Sequence, residues 1–148
     1  MKHYLFECKI RYEKVAENGM TKKVTEPYLV DALSFTEAES RITEEITPLI
    51  SGEFTVADIK RANYSELFPC EENAADKWYA CKLEFVTLDE KKGAEKKTKS
   101  NVLVQAADLR DAMKKLEENM KETMADYNAV CIKETLIMDV FPYQPKEK

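Results

Sequence analysis

Two short stretches of the chain almost repeat each other: residues 6–12 read FECKIRY, and residues 79–85 read YACKLEF. Both place Cys-Lys between aromatic ends, and in both the apolar side chains alternate with polar or small ones. Alternation with a period of two is typical of a strand that buries one face. The match, at an offset of 73 residues, therefore predicts that the chain contains the same strand twice.

The similarity extends well beyond these strands. After one inserted residue the offset becomes 74, and Leu29-Val30 matches Leu103-Val104. Near the end of each copy the offset returns to 73, so that Phe68-Pro69 matches Phe141-Pro142. The order of these identities predicts a single domain, residues 1–148, made of two repeats. The repeats cover residues 1–70 and 75–143, with a short polar link at 70–76 and a frayed C-terminal tail at 143–148.

Periodicity predicts that each repeat is a ββαβ unit. Asn18-Gly19 marks a hairpin between the first two strands, and Pro27 favours an edge position for the second strand because it lacks an N–H donor. The pattern then changes to a helical one. Ser34 with Glu37 forms a capping box that starts the first helix, and Asp108 starts the second. A third strand follows each helix.

These elements predict an α+β fold built as a tandem pseudo-symmetric repeat. A right-handed β–α–β crossover makes the second and third strands parallel, with the first strand most simply between them. Three strands under one helix bury little apolar surface, so we expect the repeats to share a core. The prediction is one antiparallel-rich sheet of about six strands with two helices on one face. Two packed sheets are the alternative.

Composition limits the classes of function. The formal net charge is −5, which argues against a general affinity for nucleic acid or anionic lipid. The start of the chain alternates in polarity and lacks the apolar run of a secretory signal, and no run reaches the roughly 20 residues of a membrane helix. We therefore expect a cytoplasmic protein. The cysteines form no CxxC pair, and Cys8, Cys81 and Cys131 lie in strand-like runs, which indicates structural thiols.

No catalytic constellation is apparent in the sequence. The chain has one histidine, His3, in the first strand next to the terminus, where we expect it to be solvated. No phosphate-binding glycine loop or nucleophile motif occurs, and the adjacent acidic pairs on the helices point about 100° apart. We therefore expect no catalytic residues, no metal and no cofactor, and a protein that is not an enzyme.

The strand faces suggest an interaction surface instead. On the face that points away from the helices, strand alternation places lysines together with apolar side chains, and such a set usually marks an interface. Our main hypothesis is a module that self-associates or binds a protein through this face; the alternative is weak single-stranded nucleic-acid or nucleotide binding there. The candidate residues are Leu5, Lys9, Leu29, Lys60, Trp78, Lys82, Leu103, Lys133 and Ile137.

Four phrases of the sequence resemble one bacterial family: VTEPYLVDALSFTEAE at 24–39, ISGEFTVADIKRA at 50–62, LVQAADLRDA at 103–112 and IMDVFPY at 137–143. They are similar to domain of unknown function 4494, an uncharacterised family of Bacteroidetes. The resemblance covers essentially the whole chain. It implies a small intracellular protein, sometimes found in phage or mobile-element surroundings, and it carries no known activity or catalytic residues.

Overall fold

A computed structural model describes residues 3–143. They form an α+β fold with two helices and two mixed sheets of four strands each. They divide into two compact units, one of residues 3–62 with 136–143 and one of residues 63–135. The elements are β1 (Tyr4–Val15), β2 (Thr21–Ala32), α1 (Phe35–Ile46), β3 (Phe54–Ala62), β4 (Glu66–Phe68), β5 (Lys77–Asp89), β6 (Ala94–Ala106), α2 (Leu109–Asn119), β7 (Asp126–Glu134) and β8 (Val140–Phe141).

The sheet of the first unit has the strand order β3-β1-β2-β8. Strand β1 lies antiparallel to both β2 and β3, so β2 and β3 are parallel to each other, as the crossover rule predicted. The short strand β8 runs parallel to β2 and pairs with it at Leu29 and Val30. The edge position expected for β2 is therefore not found where β8 covers it. Pro27 pairs with Lys9 of β1 and lies just outside the part of β2 that pairs with β8, and its carbonyl accepts a hydrogen bond from the Met138 backbone N–H at 2.8 Å.

The sheet of the second unit has the same connectivity. Its order is β4-β6-β5-β7, which reads β7-β5-β6-β4 in the opposite direction and so corresponds strand by strand to the first sheet. Both central strands carry a register shift at matching positions, between Lys9 and Ile10 in β1 and between Lys82 and Leu83 in β5. Each shift marks a β-bulge, which discourages further pairing at the outer strands β3 and β7.

In place of the single sheet of about six strands predicted from the sequence, the structure has two sheets of four strands each, and it includes two short strands that were not predicted. Strand β4 follows β3 along the chain but pairs with β6, and β8 follows β7 but pairs with β2. Each second strand would otherwise leave a row of backbone N–H and C=O groups without partners. The added strands satisfy part of that edge and give two sheets of four strands.

The helix starts are the part of the fold that the sequence predicted best. The Ser34 hydroxyl accepts from the Glu37 backbone N–H at 3.1 Å, which confirms Ser34 as the cap, and the Glu37 carboxylate reaches back to accept from the N–H of Leu33, one residue before the cap. In the second unit, Asp108 accepts from the Asp111 N–H at 2.8 Å. Both helices therefore begin where a side chain replaces a missing backbone acceptor.

Each unit has its own core between its helix and one face of its sheet. In the first unit Phe6, Cys8 and Ile10 of β1 pack with the buried face of α1. In the second unit Cys81 and Leu83 of β5 occupy the corresponding place beneath α2. Burying a large aliphatic or aromatic side chain contributes roughly 1.5–3 kcal/mol, so these layers account for much of each unit's stability.

The compact units do not end where the sequence repeats end. The predicted repeats cover residues 1–70 and 75–143, but the boundaries between the compact units lie near residues 62 and 135. The difference arises because β4 and β8 pair with strands of the other repeat. That the chain is a single domain built of two repeats stays a prediction. Of the predicted tail at 143–148, residues 144–148 lie outside the described residues. In the described part of the chain, neither helix is long and apolar enough to cross a membrane.

Candidate interaction site

The lysines of the predicted interaction face lie on the helix-free faces of the two sheets. In the first unit Phe6, Cys8 and Ile10 point to the helix, so the alternate residue Lys9 points away from it. Lys9 is half-buried and lies directly opposite Asp58 in the register. Lys60 is exposed and lies opposite Glu7, with 3.3 Å between its ammonium nitrogen and the Glu7 carboxylate. These two cations therefore face acidic neighbours.

The corresponding lysines of the second unit have a different environment. Lys82 is exposed and lies opposite Asn101 on one side and Cys131 on the other. Lys133 is exposed and lies opposite Ala80. Among residues 3–143, neither ammonium group is within ion-pair distance of a carboxylate. The helix-free face of this sheet thus presents two cations without acidic partners.

Four of the five apolar residues of the predicted face are buried. Leu29 and Leu103 have no solvent exposure, Trp78 is 3% exposed and Ile137 is 5% exposed. Leu5 is half-buried. The exposed apolar surface expected from strand alternation is therefore not found, and no aromatic ring at position 78 is available for stacking with a base. Alternation assigned the correct face, but it does not report whether a face is covered.

The single histidine has neighbours that the sequence did not indicate. His3 Nδ1 lies 3.5 Å from Asp31 Oδ1, and the His3 ring meets the Tyr143 ring edge-on at a centroid distance of 3.8 Å. Acyl transfer requires a nucleophile hydrogen-bonded to a base. The contacts of His3 with Asp31 and Tyr143 do not form such a pair. No group of three or more side chains that could hold a metal ion occurs within residues 3–143.

The buried cysteines are poor nucleophiles. Burial, reinforced by Glu7 and Asp58, raises the pKa of the Cys8 thiol to about 12. Burial, reinforced by Cys131, raises the pKa of the Cys81 thiol to about 11. Because the thiolate is the reactive form, both residues remain inert thiols at neutral pH. This agrees with the structural role predicted for Cys8 and Cys81, whereas Cys131, for which the same role was predicted, is exposed.

One basic residue in each helix binds the segment that follows a short added strand, which is β8 in the first unit and β4 in the second. The sequence analysis identified neither of these basic residues. In the first unit the Arg41 guanidinium donates to the backbone carbonyls of Asp31 and Pro142, the latter at 3.0 Å. In the second unit the buried Lys115 ammonium lies 2.8 Å from Asp111 and 3.2 Å from Glu72. The signal was present in the sequence, since Arg41 and Lys115 match at the offset of 74.

These contacts are structural in character. The hydrogen bond to Asp111 raises the pKa of Lys115 above its ordinary range, although burial acts in the opposite direction. A lysine with such partners stays charged at every physiological pH and cannot act as a base. The exposed lysines of the second sheet, by contrast, are available to another molecule.

Comparison with known proteins gives one result. No curated protein and no solved structure matches the chain. The profile of a family described as Domain of unknown function (DUF4494) matches residues 4–143, which is almost the whole described chain. The chain therefore belongs to the DUF4494 family.

Proposed function

We propose that the chain is a non-enzymatic interaction module that binds the acidic surface of a protein partner through the helix-free face of the second sheet. The supporting observation is the state of Lys82 and Lys133, which are exposed and have no ion pair within residues 3–143. Their register neighbours Ala80, Asn101 and Cys131 are uncharged, so no carboxylate lies directly opposite either lysine.

The charges and the burial on these faces favour this version over the other hypotheses. Apolar self-association needs exposed apolar side chains, and Leu29, Leu103, Trp78 and Ile137 are buried. Single-stranded nucleic-acid binding draws on stacking with exposed aromatic rings, and Trp78 is not exposed. A local contact between two lysines and a few carboxylates remains favourable.

The first unit offers a matched comparison. Lys9 and Lys60 correspond to Lys82 and Lys133 at the offset of 73. Lys60 is already paired with Glu7 at 3.3 Å, and Lys9 faces Asp58 across the strands. Binding a carboxylate at these lysines would first require separation from an acid in the same sheet. We therefore expect the second sheet to dominate the interaction.

The test is fluorescence anisotropy with labelled poly-L-glutamate, a simple acidic polypeptide, at low salt where surface charges are weakly screened. The double variant Lys82→Gln/Lys133→Gln is compared with Lys9→Gln/Lys60→Gln, which removes the same number of charges. Since exposed ion pairs contribute about 0.2–1 kcal/mol each, we expect the first variant to bind about 2- to 30-fold more weakly. The second should bind nearly as well as wild type.

A parallel titration with labelled oligothymidine distinguishes the two classes of polyanion. Tighter binding to oligothymidine than to polyglutamate would overturn the protein-partner proposal in favour of nucleic acid. An equal loss in both double variants would show that binding follows total charge and would overturn the assignment to the second sheet. An absence of polyglutamate binding at low salt would overturn the proposal itself.

The proposal includes a cytoplasmic location. All four cysteines are free thiols, and free thiols are the usual state in a reducing compartment. An origin in Bacteroidetes and a phage or mobile-element setting stay predictions of the sequence resemblance. An alkylation assay on intact cells that express the protein would show the location, because cytoplasmic thiols are protected from reagents that cannot cross the membrane.

A further inference from the structure

An open cleft of about 570 Å³ lies in the first unit. It is lined by the outer part of the β1–β2 hairpin, by the turn at 51–53 and by the start of β3. Pockets for small ligands have volumes of about 300–1,000 Å³ and combine an apolar wall with a few polar groups. This cleft is far from the lysines of the second sheet along the chain and belongs to the other compact unit.

The cleft is lined by charges of both signs that have no ionic partners. Arg11, Glu13, Lys23 and Glu53 all line it. Within residues 3–143 none of them forms an ion pair, although the cleft is small. Two cations and two carboxylates that line one cavity without pairing leave donors and acceptors available to a ligand.

Strand register shows how these charges are arranged. Arg11 lies directly opposite Thr55 of β3, and Glu13 lies opposite Lys23 of β2. Continuing the β1–β3 register by one residue places Glu53 beside Glu13. Like charges that face each other across strands are destabilising, so an ammonium group placed there by a ligand would relieve repulsion. Arg11 and Lys23 would receive a carboxylate.

Two aromatic residues hold the strands beneath the cleft in place. Tyr12 and Phe54 pair in the register, and their side chains pack against the core under α1, on the face opposite to Arg11 and Glu13. The Tyr12 hydroxyl donates to the Glu26 carboxylate at 2.7 Å. Strands held in this way keep the charged side chains of the other face in a fixed arrangement, which lowers the entropy lost when a ligand binds.

The matching region of the second unit differs in its charges. At the offset of 73, Arg11 corresponds to Glu84, and at 74, Lys23 corresponds to Lys97. The Lys97 ammonium lies 3.7 Å from the Glu84 carboxylate. The two residues that stay unpaired in the first unit thus form an ion pair in the second. The exchange of a cation for an acid at this position makes the cleft of the first unit a distinct site.

We propose that this cleft binds a small zwitterion of the amino-acid class, such as a short peptide with a free ammonium and a free carboxylate. Glu13 and Glu53 hold the ammonium group, and Arg11 and Lys23 hold the carboxylate. The site is independent of the lysine surface proposed for protein binding.

The probe is the tripeptide trialanine, compared with its N-acetyl and C-amide forms, in an NMR titration of the ¹⁵N-labelled protein up to about 10 mM, which detects even weak complexes. We expect trialanine to shift backbone resonances of residues 11–23 and 51–55, whereas either blocked form binds about 2- to 30-fold more weakly because both ion pairs of that terminus are lost. Equal binding of the blocked forms, or no shift with trialanine, overturns the proposal.

Matched variants separate the site from general charge effects. Arg11→Gln and Glu53→Gln should each weaken trialanine binding by up to about 5-fold, while the offset-matched changes Glu84→Gln and Asp126→Asn should leave it unchanged. All four positions are at least partly exposed, so each variant should fold. Lys82→Gln/Lys133→Gln should also bind trialanine normally. A loss of trialanine binding in that variant would overturn the independence of the two sites.

Discussion

Trp78 illustrates how a residue's face and its exposure are separate properties. Its position in β5 assigns it to the helix-free face, as alternation predicted, yet it is 3% exposed. Its backbone carbonyl accepts from both the N–H and the hydroxyl of Thr135, at 2.9 and 2.8 Å. The residue is therefore part of the protein's interior, and its substitution should affect folding before it affects any partner.

Trp78→Glu should lower the free energy of unfolding by at least about 3 kcal/mol, because it removes a large buried side chain and buries a carboxylate without a partner. Leu88→Glu is the matched control. Leu88 lies on the same face of the same strand and is 68% exposed, so its change should stay within about 0.5 kcal/mol. Urea denaturation monitored by circular dichroism measures both, and a Trp78→Glu variant as stable as the control would contradict the burial.

The cysteines allow a second test at the scale of single residues. Cys8 and Cys81 are buried with raised pKa values, whereas Cys131 is exposed on β7. Because alkylation requires both access and the thiolate, iodoacetamide should label Cys131 first in the native protein and should reach Cys8 and Cys81 only after denaturation. Peptide mass spectrometry gives the order. Rapid native labelling of Cys8 would refute the strand assignment of β1.

At the scale of elements, one carboxylate in the first turn of α2, that of Asp111, forms both a backbone hydrogen bond and an ion pair. Asp111 accepts from the Ala107 backbone N–H at 3.0 Å and from the Lys115 ammonium at 2.8 Å. These contacts, the backbone hydrogen bond first, hold the pKa of Asp111 below its ordinary value of 3.8. A lowered pKa means that the unfolded chain binds the proton more readily than the folded one. The stabilisation is therefore present above that value and is lost as the pH falls below it.

Asp111→Asn should consequently be less stable than wild type at pH 7, and the difference should shrink as the pH is lowered toward 2. Thermal unfolding at a series of pH values measures this difference directly. Glu117→Gln is the control, since Glu117 is exposed on the same helix and has no ion pair within residues 3–143. A difference for Asp111→Asn that stays constant across the pH series would argue against a charged role for this carboxylate.

At the scale of the whole molecule, local patterns predicted the elements but not their partners. The alternation of β1 and β5 and the capping residues Ser34 and Asp108 act over a few neighbours, so the sequence reveals them. Strands β4 and β8 have three and two residues, too few to show a period. Their pairing depends on which long strand has an open edge, and that is decided by the complete fold.

The same reasoning explains what was predicted of the site. Period two assigned Lys82 and Lys133 to the helix-free face, because side-chain direction is a local property of a strand. Whether Lys60 or Lys82 has an acid opposite depends on register across strands that are distant in the chain. The burial of Leu29 and Leu103 depends on tertiary packing. Neither property is visible in a short window of sequence.

The extent of the second compact unit leads to a prediction about fragments. Residues 63–135 contain β4, β5, β6, β7 and α2, which form the complete second sheet with its helix. The sequence repeat at 75–143 lacks β4 and ends instead in β8, whose partner β2 is absent from that fragment. The repeat fragment thus has an uncovered edge on β6 and a strand without a sheet.

We expect the 63–135 fragment to melt cooperatively and the 75–143 fragment to lack a cooperative transition, as followed by circular dichroism at several concentrations. The physical reason is that β4 supplies hydrogen bonds to β6 over Glu66–Phe68, and its Phe68 packs against the second core. Phe68→Ala in the 63–135 fragment should lower its melting temperature, because it shrinks that core. A more stable 75–143 fragment would mean that the repeat, and not the compact unit, is what folds.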